Sequence, residues 1–454
     1  MSPVKKRAKP KPERHRWFDQ WVIAKGEPLH LLVEAVLRSL ERDEMQRGLR
    51  HRARRAGDLT NFWASVNAAV SNLAYAVLMP PETGRIAVKL GGQRSGMTRY
   101  ENPALGSKPF RKLINQLSEL DVLSLNRSKR RGEVSSIAPS HWFVGQVQKH
   151  SITLADFGRA EDEEVIVLSR NTSLIGPDDT RITKRERIDY KDTKATRSYR
   201  SELRRLNSFL ASADISFVED NIAPRIDPFD RTLRRHFVIR PKQPERFDQG
   251  GRFFGGFWLG LKAERRKNIR INGEPVADLD FGTMFTRLAY ARMGVRPPKG
   301  DLYAVAGTEG YRSGVKMAMN TFLFDSHNRR SKWPSEMGVG VGNDADASDK
   351  SSDASEFEAR LPAGWTVGRT RKAILELHPA LQKVWGRGLG YELMFDESRI
   401  LLLALTRLME KNIPALGMHD GLLVQRSSKA TAKTIMKVAA REIAGVGIPV
   451  EEKG

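Results

Sequence analysis

The stretch VADLDFGTMFTRLAYARMG, residues 276–294, decides the architecture of the C-terminal half of this chain. Residues 276–281 are apolar apart from two acids, and they predict a buried strand. Asp278 and Asp280 are two positions apart, so both carboxylates lie on one face of that strand. Burying carboxylates on an apolar strand is unfavourable unless cations or hydrogen-bond donors offset the cost. A metal ion and an arginine partner both meet this requirement, and the pattern leaves both open.

A stripe of polar and aromatic side chains is predicted in YRSGVKMAMNTFLF, residues 311–324. Residues spaced by four lie on one face of a helix, and here they are Arg312, Lys316, Asn320 and Phe324. Two cations, an amide and an aromatic ring suit a triphosphate and the sugar or base attached to it. A helix face with ordinary salt bridges is the alternative.

A hairpin is predicted in IPALGMHDGLLV, residues 413–424, where apolar strands flank a tight turn at His419, Asp420 and Gly421. An aspartate at such a tip can reach the carboxylate of a neighbouring strand. The alternative is an Asp-Gly turn that serves the backbone alone, which is a common hairpin signal.

In this order the three segments resemble the palm and fingers of family A DNA polymerases and single-subunit phage-type RNA polymerases. DFGTMFTRLAYA, from Asp280, is similar to the first family motif, D-Y-S-Q-I-E-L-R-I-L-A-H. The second motif, R-x3-K-x7-[YF]-G, is similar to the spacing of Arg312, Lys316 and Phe324, although Asp325 stands in place of the glycine. The third, H-D-E or H-D-S, is similar to the HDG at the hairpin.

Further segments extend the resemblance over roughly residues 250–425. GDLYAVAG, from Gly300, is similar to the family's G-D-x-H-x-x-x-A segment, and YELMFDESRILLLAL resembles its glutamine-bearing helix. GGRFFGG resembles the T-G-R segment, with Arg252 as the matching arginine. The glutamate of the first motif is replaced by Phe285.

The resemblance implies an α+β fold, a right-hand polymerase palm with small helical fingers. A helical and winged-helix-like N-terminal region is expected to precede it. It implies that Asp280 and Asp420 hold two Mg²⁺ ions about 3.5–4 Å apart, with Mn²⁺ as the alternative metal. Asp278 is either a third metal-site carboxylate or the ion-pair partner of an arginine. Lys316 is the third catalytic residue, because it would neutralise the transferring phosphate and protonate pyrophosphate.

The remaining site residues divide by ligand. The nucleotide is expected to contact Arg312 through its outer phosphates, Phe324 by stacking, and Asn320 and Phe285. The template and primer are expected to contact Arg252 and His419, and His419 orients the primer end or the turn.

The residue types also bear on the sugar. A phenyl ring at Phe285 leaves little room for a 2′-hydroxyl, and Phe324 lacks the phenol of a tyrosine. Both features favour dNTPs over NTPs, and hence a DNA polymerase. The alternatives are a single-subunit RNA polymerase or primase-like enzyme on the same palm, and a non-catalytic DNA-binding replication initiator or regulator.

Composition supports a polyanionic partner. The 454 residues hold 77 Lys and Arg against 54 Asp and Glu, a formal net charge of +23. Such a field attracts nucleic acid, although a ribosome-associated protein or a generally basic surface would share it. Cysteine is absent, which excludes disulfides and thiolate metal sites. No apolar run is long enough to cross a membrane, and a cytoplasmic location is expected.

The N-terminal half is predicted to contribute DNA binding. Residues 108–143 outline a helix, a strand, a basic turn and a second strand, which resembles a winged helix. Its tip, which would contact phosphates, carries Lys129, Arg130 and Arg131. A solvated hairpin packed on a helix is the alternative.

Four segments are predicted. They are a basic arm and helix at 1–57, a helical and winged-helix-like nucleic-acid-binding domain at 58–150, a linker and thumb-like helical region at 151–249, and the palm and fingers at 250–454.

Overall fold

The computed structural model describes residues 15–90, 98–128, 130, 133–175, 181–327, 331–333 and 360–453. The chain divides into two compact units that mix helices and sheets. The first comprises Met1–Glu164 with Ala223–Phe229, and the second comprises Val165–Ile222 with Asp230–Gly454. In the described part of the chain, no helix is both long enough and apolar enough to span a bilayer.

The first unit packs helices on a small sheet. Its elements are β1 (Arg16–Trp17), β2 (Val22–Ala24), α1 (Glu27–Gln46), α2 (Ala56–Leu78), β3 (Ile86–Val88), α3 (Ser107–Glu119), β4 (Leu123–Asn126), β5 (Ser135–Pro139), α4 (His141–Lys149) and β6 (Phe157–Arg159), with short 3₁₀ helices at Pro103–Leu105 and Leu154–Asp156. One sheet has the order β1-β3-β5-β4, and β2 pairs with β6.

Helix α2 is the centre of this unit, and its second half is largely buried. Val66, Val70 and Leu73 are fully buried. Two buried amides on the same helix hold the N-terminal segment, since Asn67 Oδ1 accepts from the Ala24 N–H at 2.8 Å and Asn72 Nδ2 donates to the Asp19 carbonyl at 2.8 Å. Buried polar groups therefore have specific partners here.

The predicted helix, strand, turn and strand of residues 108–143 are present as α3, β4 and β5. Strands β4 and β5 are antiparallel, and β3 adds a third antiparallel strand on the other side of β5. At the turn, Arg130 is described and exposed, whereas Lys129 and Arg131 lie outside the described residues.

The second unit holds two larger sheets. Its elements are β7 (Ile166–Ile175), β8 (Arg181–Arg187), α5 (Lys194–Ser212), β9 (Ile215–Phe217), β10 (Arg234–Ile239), β11 (Gly250–Phe254), α6 (Ala263–Arg266), β12 (Ile269–Ile271), β13 (Glu274–Phe281), α7 (Met284–Met293), α8 (Arg312–Phe324), α9 (Val367–Leu377), α10 (Gly390–Glu410), β14 (Ala415–Gly417), β15 (Gly421–Gln425), α11 (Lys429–Ala444) and β16 (Val450–Glu452). Short 3₁₀ helices lie at Phe257–Gly260, Pro379–Lys383 and Arg426–Ser428.

Residues 151–249 were predicted to be a linker and thumb-like helical region, and this assignment stays a prediction. In its described part this segment has one α-helix, α5, and strands β6 to β10, of which β7 and β10 pair in parallel. The segment is polar partly because β8, with the sequence RITKRER, is rich in charged residues. In contrast, Ile166, Val167 and Leu168 of β7 are buried. The sheet is mixed, since β7 is antiparallel to β8 and parallel to β10, and a sheet with one solvated face tolerates charged side chains on that face. The other predicted segment boundaries stay a prediction.

The first of the two sheets has the order β11-β10-β7-β8. The glycine-rich stretch that was quoted for Arg252 forms strand β11, with an irregular register between His236 and Phe237 of β10. Gly251 adopts a φ of +81°, and a Cβ there would lie 2.8 Å from Ser398 Oγ. The glycine lets β11 approach α10 closely, which sets Arg252 against that helix.

The other sheet positions the predicted site. Strand β13 lies between β15 and β16, and β14 is the outer neighbour of β15. Along the chain, β13 is followed by helices α7 to α10, then by β14 and β15, then by α11 and finally by β16. In the sheet these strands lie in the order β16-β13-β15-β14. This is a split β-α-β arrangement, in which helices α10 and α11 pack together. The end of β13 and the β14–β15 turn therefore meet at one edge of the sheet.

Candidate active site

Asp280 and Asp420 come together at that edge, as the sequence predicted. The Cα of Asp280 lies opposite Gly421 in the β13–β15 pairing, and the Phe281 N–H donates to the Asp420 carbonyl at 2.8 Å. The two carboxyl groups interact, since each shifts the pKa of the other. Adjacent strands hold them there, so the hairpin at Asp420 is more than a backbone turn.

Gly421 makes this approach sterically feasible. A Cβ at Gly421 would lie 2.2 Å from the Leu279 carbonyl oxygen and 2.8 Å from Asp280 Oδ1. Any larger residue would separate the two strands at the point where the carboxylates meet. The glycine is therefore required by close packing at the pair.

The electrostatics of the pair are asymmetric. Burial, and then the negative charge of Asp420, raise the pKa of Asp280 to about 7. Burial also opposes ionisation of Asp420, but the charges of Lys453, Lys316 and Arg252 with the hydrogen bond from Asp280 outweigh it and hold the pKa of Asp420 below its usual value. Two neighbouring carboxylates repel each other when both are ionised, unless a cation offsets their charge. The pair therefore attracts a cation.

Asp278 has a different partner. Its Oδ2 lies 3.4 Å from Nη1 of Arg266, at the end of α6. Both side chains are mostly buried, with 18% and 13% of their surface exposed. Of the two roles left open for Asp278, the structure supplies the ion pair with an arginine. In the described residues, no group of three or more His, Asp or Glu side chains is arranged to hold a metal ion.

The predicted stripe on α8 runs from solvent to core. Arg312 and Lys316 are exposed, Asn320 is half-buried and Phe324 is buried. Arg312 forms a two-pronged ion pair with Asp301, at 2.6 and 3.0 Å. Lys316 has no ion-pair or hydrogen-bond partner in the part of the chain that is described, and its charge acts on Asp420. Lys316 is thus the cation of the stripe that is available to a ligand.

An aromatic cluster closes the base of the site. The rings of Phe285 and Phe324 are 5.8 Å apart between centroids, and Tyr391 of α10 meets Phe324 edge-on at 5.1 Å. Gly390 packs flat on the Phe324 ring. The guanidinium of Arg252 lies 5.3 Å from the Phe285 centroid. Three residues that were predicted from separate motifs therefore form one contiguous surface.

Sequence reasoning missed Glu397, which lies on α10 with 1% of its surface exposed. Its Oε2 lies 2.5 Å from Arg252 Nε. Burial raises the pKa of Glu397 to about 7, against the pull of Arg252. The signal in the sequence was an acid within the apolar helix FDESRILLLAL. The ion pair with Glu397 therefore holds the guanidinium of Arg252 in place.

His419 lies beside the pair and is mostly buried. Its ring centroid is 5.7 Å from that of Phe254 on β11. Burial, and then the charge of Arg252, lower the pKa of His419 to about 4, so the ring is neutral at pH 7. A neutral ring suits the predicted orienting role better than a charge contact with phosphate.

Lys453 is the second residue that the sequence did not reveal. It follows β16, and its Nζ lies 2.8 Å from Asp280 Oδ2. Its backbone N–H donates to the Asp278 carbonyl at 2.9 Å. Nothing in VEEKG, residues 450–454, indicates such a position, because the contact depends on the pairing of β16 with β13.

The first unit has its own basic surface on α3. Lys108, Arg111 and Lys112 are exposed, and among the described residues they have no acidic partner. Arg127, at the end of β4, donates to Asn115 of α3 at 2.7 Å. Of the three cations predicted at the turn, Arg130 is described and is also exposed.

The Asp280–Asp420 pair fits a hard divalent cation by its donor chemistry, because carboxylate oxygens are the ligands that Mg²⁺ prefers. Comparison of the chain with models of protein families finds no match, and a search of curated proteins finds none either. Functional inference therefore depends on the site itself.

Proposed function

We propose that this chain is a template-directed nucleotidyltransferase with a family A-like palm and small helical fingers, and that its favoured product is DNA. The observation that carries the proposal is the proximity of Asp280, near the end of β13, to Asp420, in the β14–β15 turn. The charge of Lys316, which has no partner among the described residues, acts on Asp420. Phosphoryl transfer needs little covalent participation by the protein and depends on positioned charge.

Mg²⁺ or Mn²⁺ at the two carboxylates would supply activation of a 3′-hydroxyl and neutralisation of phosphate charge. In the reaction, the hydroxyl oxygen bonds to the α-phosphorus of the nucleotide and the bond to pyrophosphate breaks. The hydroxyl proton passes to solvent, and Lys316 donates a proton to the leaving pyrophosphate. Arg312, held by Asp301, is placed four residues before Lys316 on the same face of α8 for the outer phosphates.

The base of the site supports the role of Arg252. Glu397 fixes its guanidinium from one side, and the Phe285 ring lies below it. An arginine held in this way can donate to the primer end without losing much conformational freedom. His419, neutral and adjacent to Asp420, completes the surface on which the primer end would lie.

The aromatic cluster supports selection of dNTPs. Phe285 is packed against both Phe324 and Arg252, so its ring has little freedom to move aside for a 2′-hydroxyl. An RNA polymerase or primase-like enzyme would need a polar partner for that hydroxyl, because polar pairing discriminates it best. Neither phenylalanine offers one.

The unpaired cations of α3 favour a second, non-catalytic role for the first unit, in which it binds duplex DNA as a winged-helix-like module. Helices that present several cations to solvent without acidic partners gain most from contact with phosphates. This is the observation behind the initiator alternative, and it is compatible with a catalytic second unit.

Primer extension tests the proposal. The purified protein is given a primed DNA or RNA template, Mg²⁺ and either dNTPs or NTPs, and products are resolved by length. We expect templated extension with dNTPs that depends on Asp280 and Asp420. Absence of extension with either nucleotide set and either template would leave the initiator function as the better account.

A further inference from the structure

A cation contributed by the protein itself contacts the carboxylate pair. Lys453 Nζ lies 2.8 Å from Asp280 Oδ2, and the lysine is about half exposed. The positive charge of Lys453 acts on Asp278 and Asp420 as well as on Asp280. Its ammonium group therefore lies at the carboxylate of Asp280, where a metal ion would also be attracted.

The two oxygens of Asp280 have different neighbours. Oδ2 faces Lys453, while Oδ1 lies next to the Gly421 backbone, beside Asp420. Strand β16 holds this arrangement by pairing Leu279, Asp280 and Phe281 with Glu452, Glu451 and Val450. Since the Lys453 N–H also donates to the Asp278 carbonyl, the lysine is fixed by backbone bonds that do not involve its side chain.

We propose that Lys453 is an internal competitor of the catalytic metal, an ammonium group that neutralises Asp280 in the metal-free site and weakens the binding of free divalent cations. The inference rests on the proposed two-metal function. It assigns to the C-terminal strand a part in the metal site, which lies beyond the segments that resemble polymerases.

Lys453 affects the affinity for metal in two opposite ways, and the larger effect determines whether its removal strengthens or weakens binding. Holding Asp280 Oδ2 orients the carboxylate, but an aspartate has few rotamers and loses little when released. A single positive charge next to a divalent ion is repelled over a short distance even where water screens it. Repulsion is therefore the larger effect, and removing the charge tightens metal binding.

The contact between Lys453 and Asp280 also affects how a metal ion would enter the site. With Asp280 already neutralised, free metal binds weakly, whereas a metal carried by a nucleotide triphosphate brings negative charge that can draw Lys453 away. Lys453 then becomes available to a phosphate oxygen, while Asp280 is released to the metal.

Isothermal titration of Mn²⁺ into the full-length protein without nucleotide tests the inference. The variants are Lys453→Met, which keeps the length of the side chain without its charge, and Lys453→Arg, which keeps the charge. We expect the apparent Kd of Lys453→Met to fall by roughly tenfold at low ionic strength, and that of Lys453→Arg to stay near wild type.

Lys429→Met is the matched control. Lys429, the first residue of α11, makes the same kind of ion pair with a residue of β16, with Nζ 3.0 Å from Glu452 Oε2, and is similarly exposed. Its loss should leave Mn²⁺ affinity unchanged. Asp280→Asn, made in both the wild-type and the Lys453→Met background, should abolish the titrated site and so identify it.

An unchanged or weaker Mn²⁺ affinity in Lys453→Met overturns the inference, even if wild-type protein extends primers. A tighter affinity in a protein that incorporates neither dNTPs nor NTPs supports the inference while the polymerase function fails. Absence of Mn²⁺ binding in every variant, Lys453→Met included, overturns the inference, whereas primer extension decides the polymerase function separately.

Discussion

The two units of this protein use positive charge in different ways. On α3 of the first unit, Lys108, Arg111 and Lys112 extend into solvent, and within the described residues no acid pairs with them. At the site of the second unit, Arg266, Arg252 and Lys453 are each matched to a carboxylate, and their side chains are largely or half buried.

The difference indicates two kinds of recognition. Exposed, unpaired cations act over a Debye length and bind by releasing counterions, so their effect depends on salt. Buried pairs act over a few ångströms and depend on geometry, so removing one partner leaves the other uncompensated. Four predictions test this contrast, from the largest expected effect to the smallest.

The largest effect is expected at the carboxylate pair. Asp280→Asn or Asp420→Asn should reduce nucleotide incorporation by about 10³-fold or more, because metal ligation contributes several kcal/mol. Binding of primed DNA, measured by fluorescence anisotropy, should change little. Asp278→Asn is the control, since it lies on the same face of β13 but pairs with Arg266. Equal losses at all three positions would contradict the assignment of the pair.

The second prediction concerns α3. Changing Lys108, Arg111 and Lys112 together to alanine should weaken duplex binding by about 10²-fold at low salt and reduce the slope of log K against log salt by about 3, roughly 0.9 for each phosphate contact. Anisotropy titrations across a salt series give both quantities. Arg38→Ala serves as the control, because Arg38 is already paired with Glu34 at 3.3 Å. A slope that does not change would place the DNA contacts of the first unit elsewhere.

The third prediction concerns pH. Because burial raises the pKa of Glu397 to about 7, the folded state holds a proton there that the unfolded chain has released. The free energy of unfolding should therefore fall as pH rises from about 5 to 7, and Glu397 should account for about 2 kcal/mol of that fall. Urea denaturation across this range should show a flatter profile for Glu397→Gln. A variant profile that parallels wild type would mean that Arg252 keeps Glu397 ionised throughout.

The smallest effect is expected for the selection between dNTPs and NTPs. Phe285→Ala should raise NTP incorporation relative to dNTP incorporation by roughly tenfold, because overpacking by one heavy atom costs on the order of 1–3 kcal/mol. The ratio of kcat/KM for the two nucleotides measures it. Phe254→Ala, whose ring packs beside His419, is the control for loss of an aromatic group nearby. If wild-type protein already prefers NTPs, Phe285 does not select the sugar and the RNA polymerase alternative moves to first place.

Local patterns in the sequence predicted the elements that hold the site. The strand with Asp278 and Asp280, the helix with Arg312 to Phe324 and the hairpin at Asp420 are all present as β13, α8 and β14–β15. Each depends on periodicity or turn chemistry within about fifteen residues, which neighbouring residues determine. The helix and two strands that begin at residue 108 were predictable for the same reason.

The long strands of residues 165–187 were not predictable in the same way. The burial of one face of these strands depends on β10 and α5, which follow later in the chain. Strand formation at such positions reflects tertiary packing more than intrinsic preference.

What the sequence by itself determined is which local elements carry the candidate side chains: an aspartate on an apolar strand, an aspartate at a hairpin turn, a cationic helix face and a basic surface. Only the tertiary structure decided how they are paired. Glu397 forms an ion pair with Arg252, and Arg266 forms one with Asp278. Lys453, which follows β16, forms one with Asp280. The physical reason is that electrostatic compensation depends on distances between residues far apart in sequence, and those distances arise from strand order and packing.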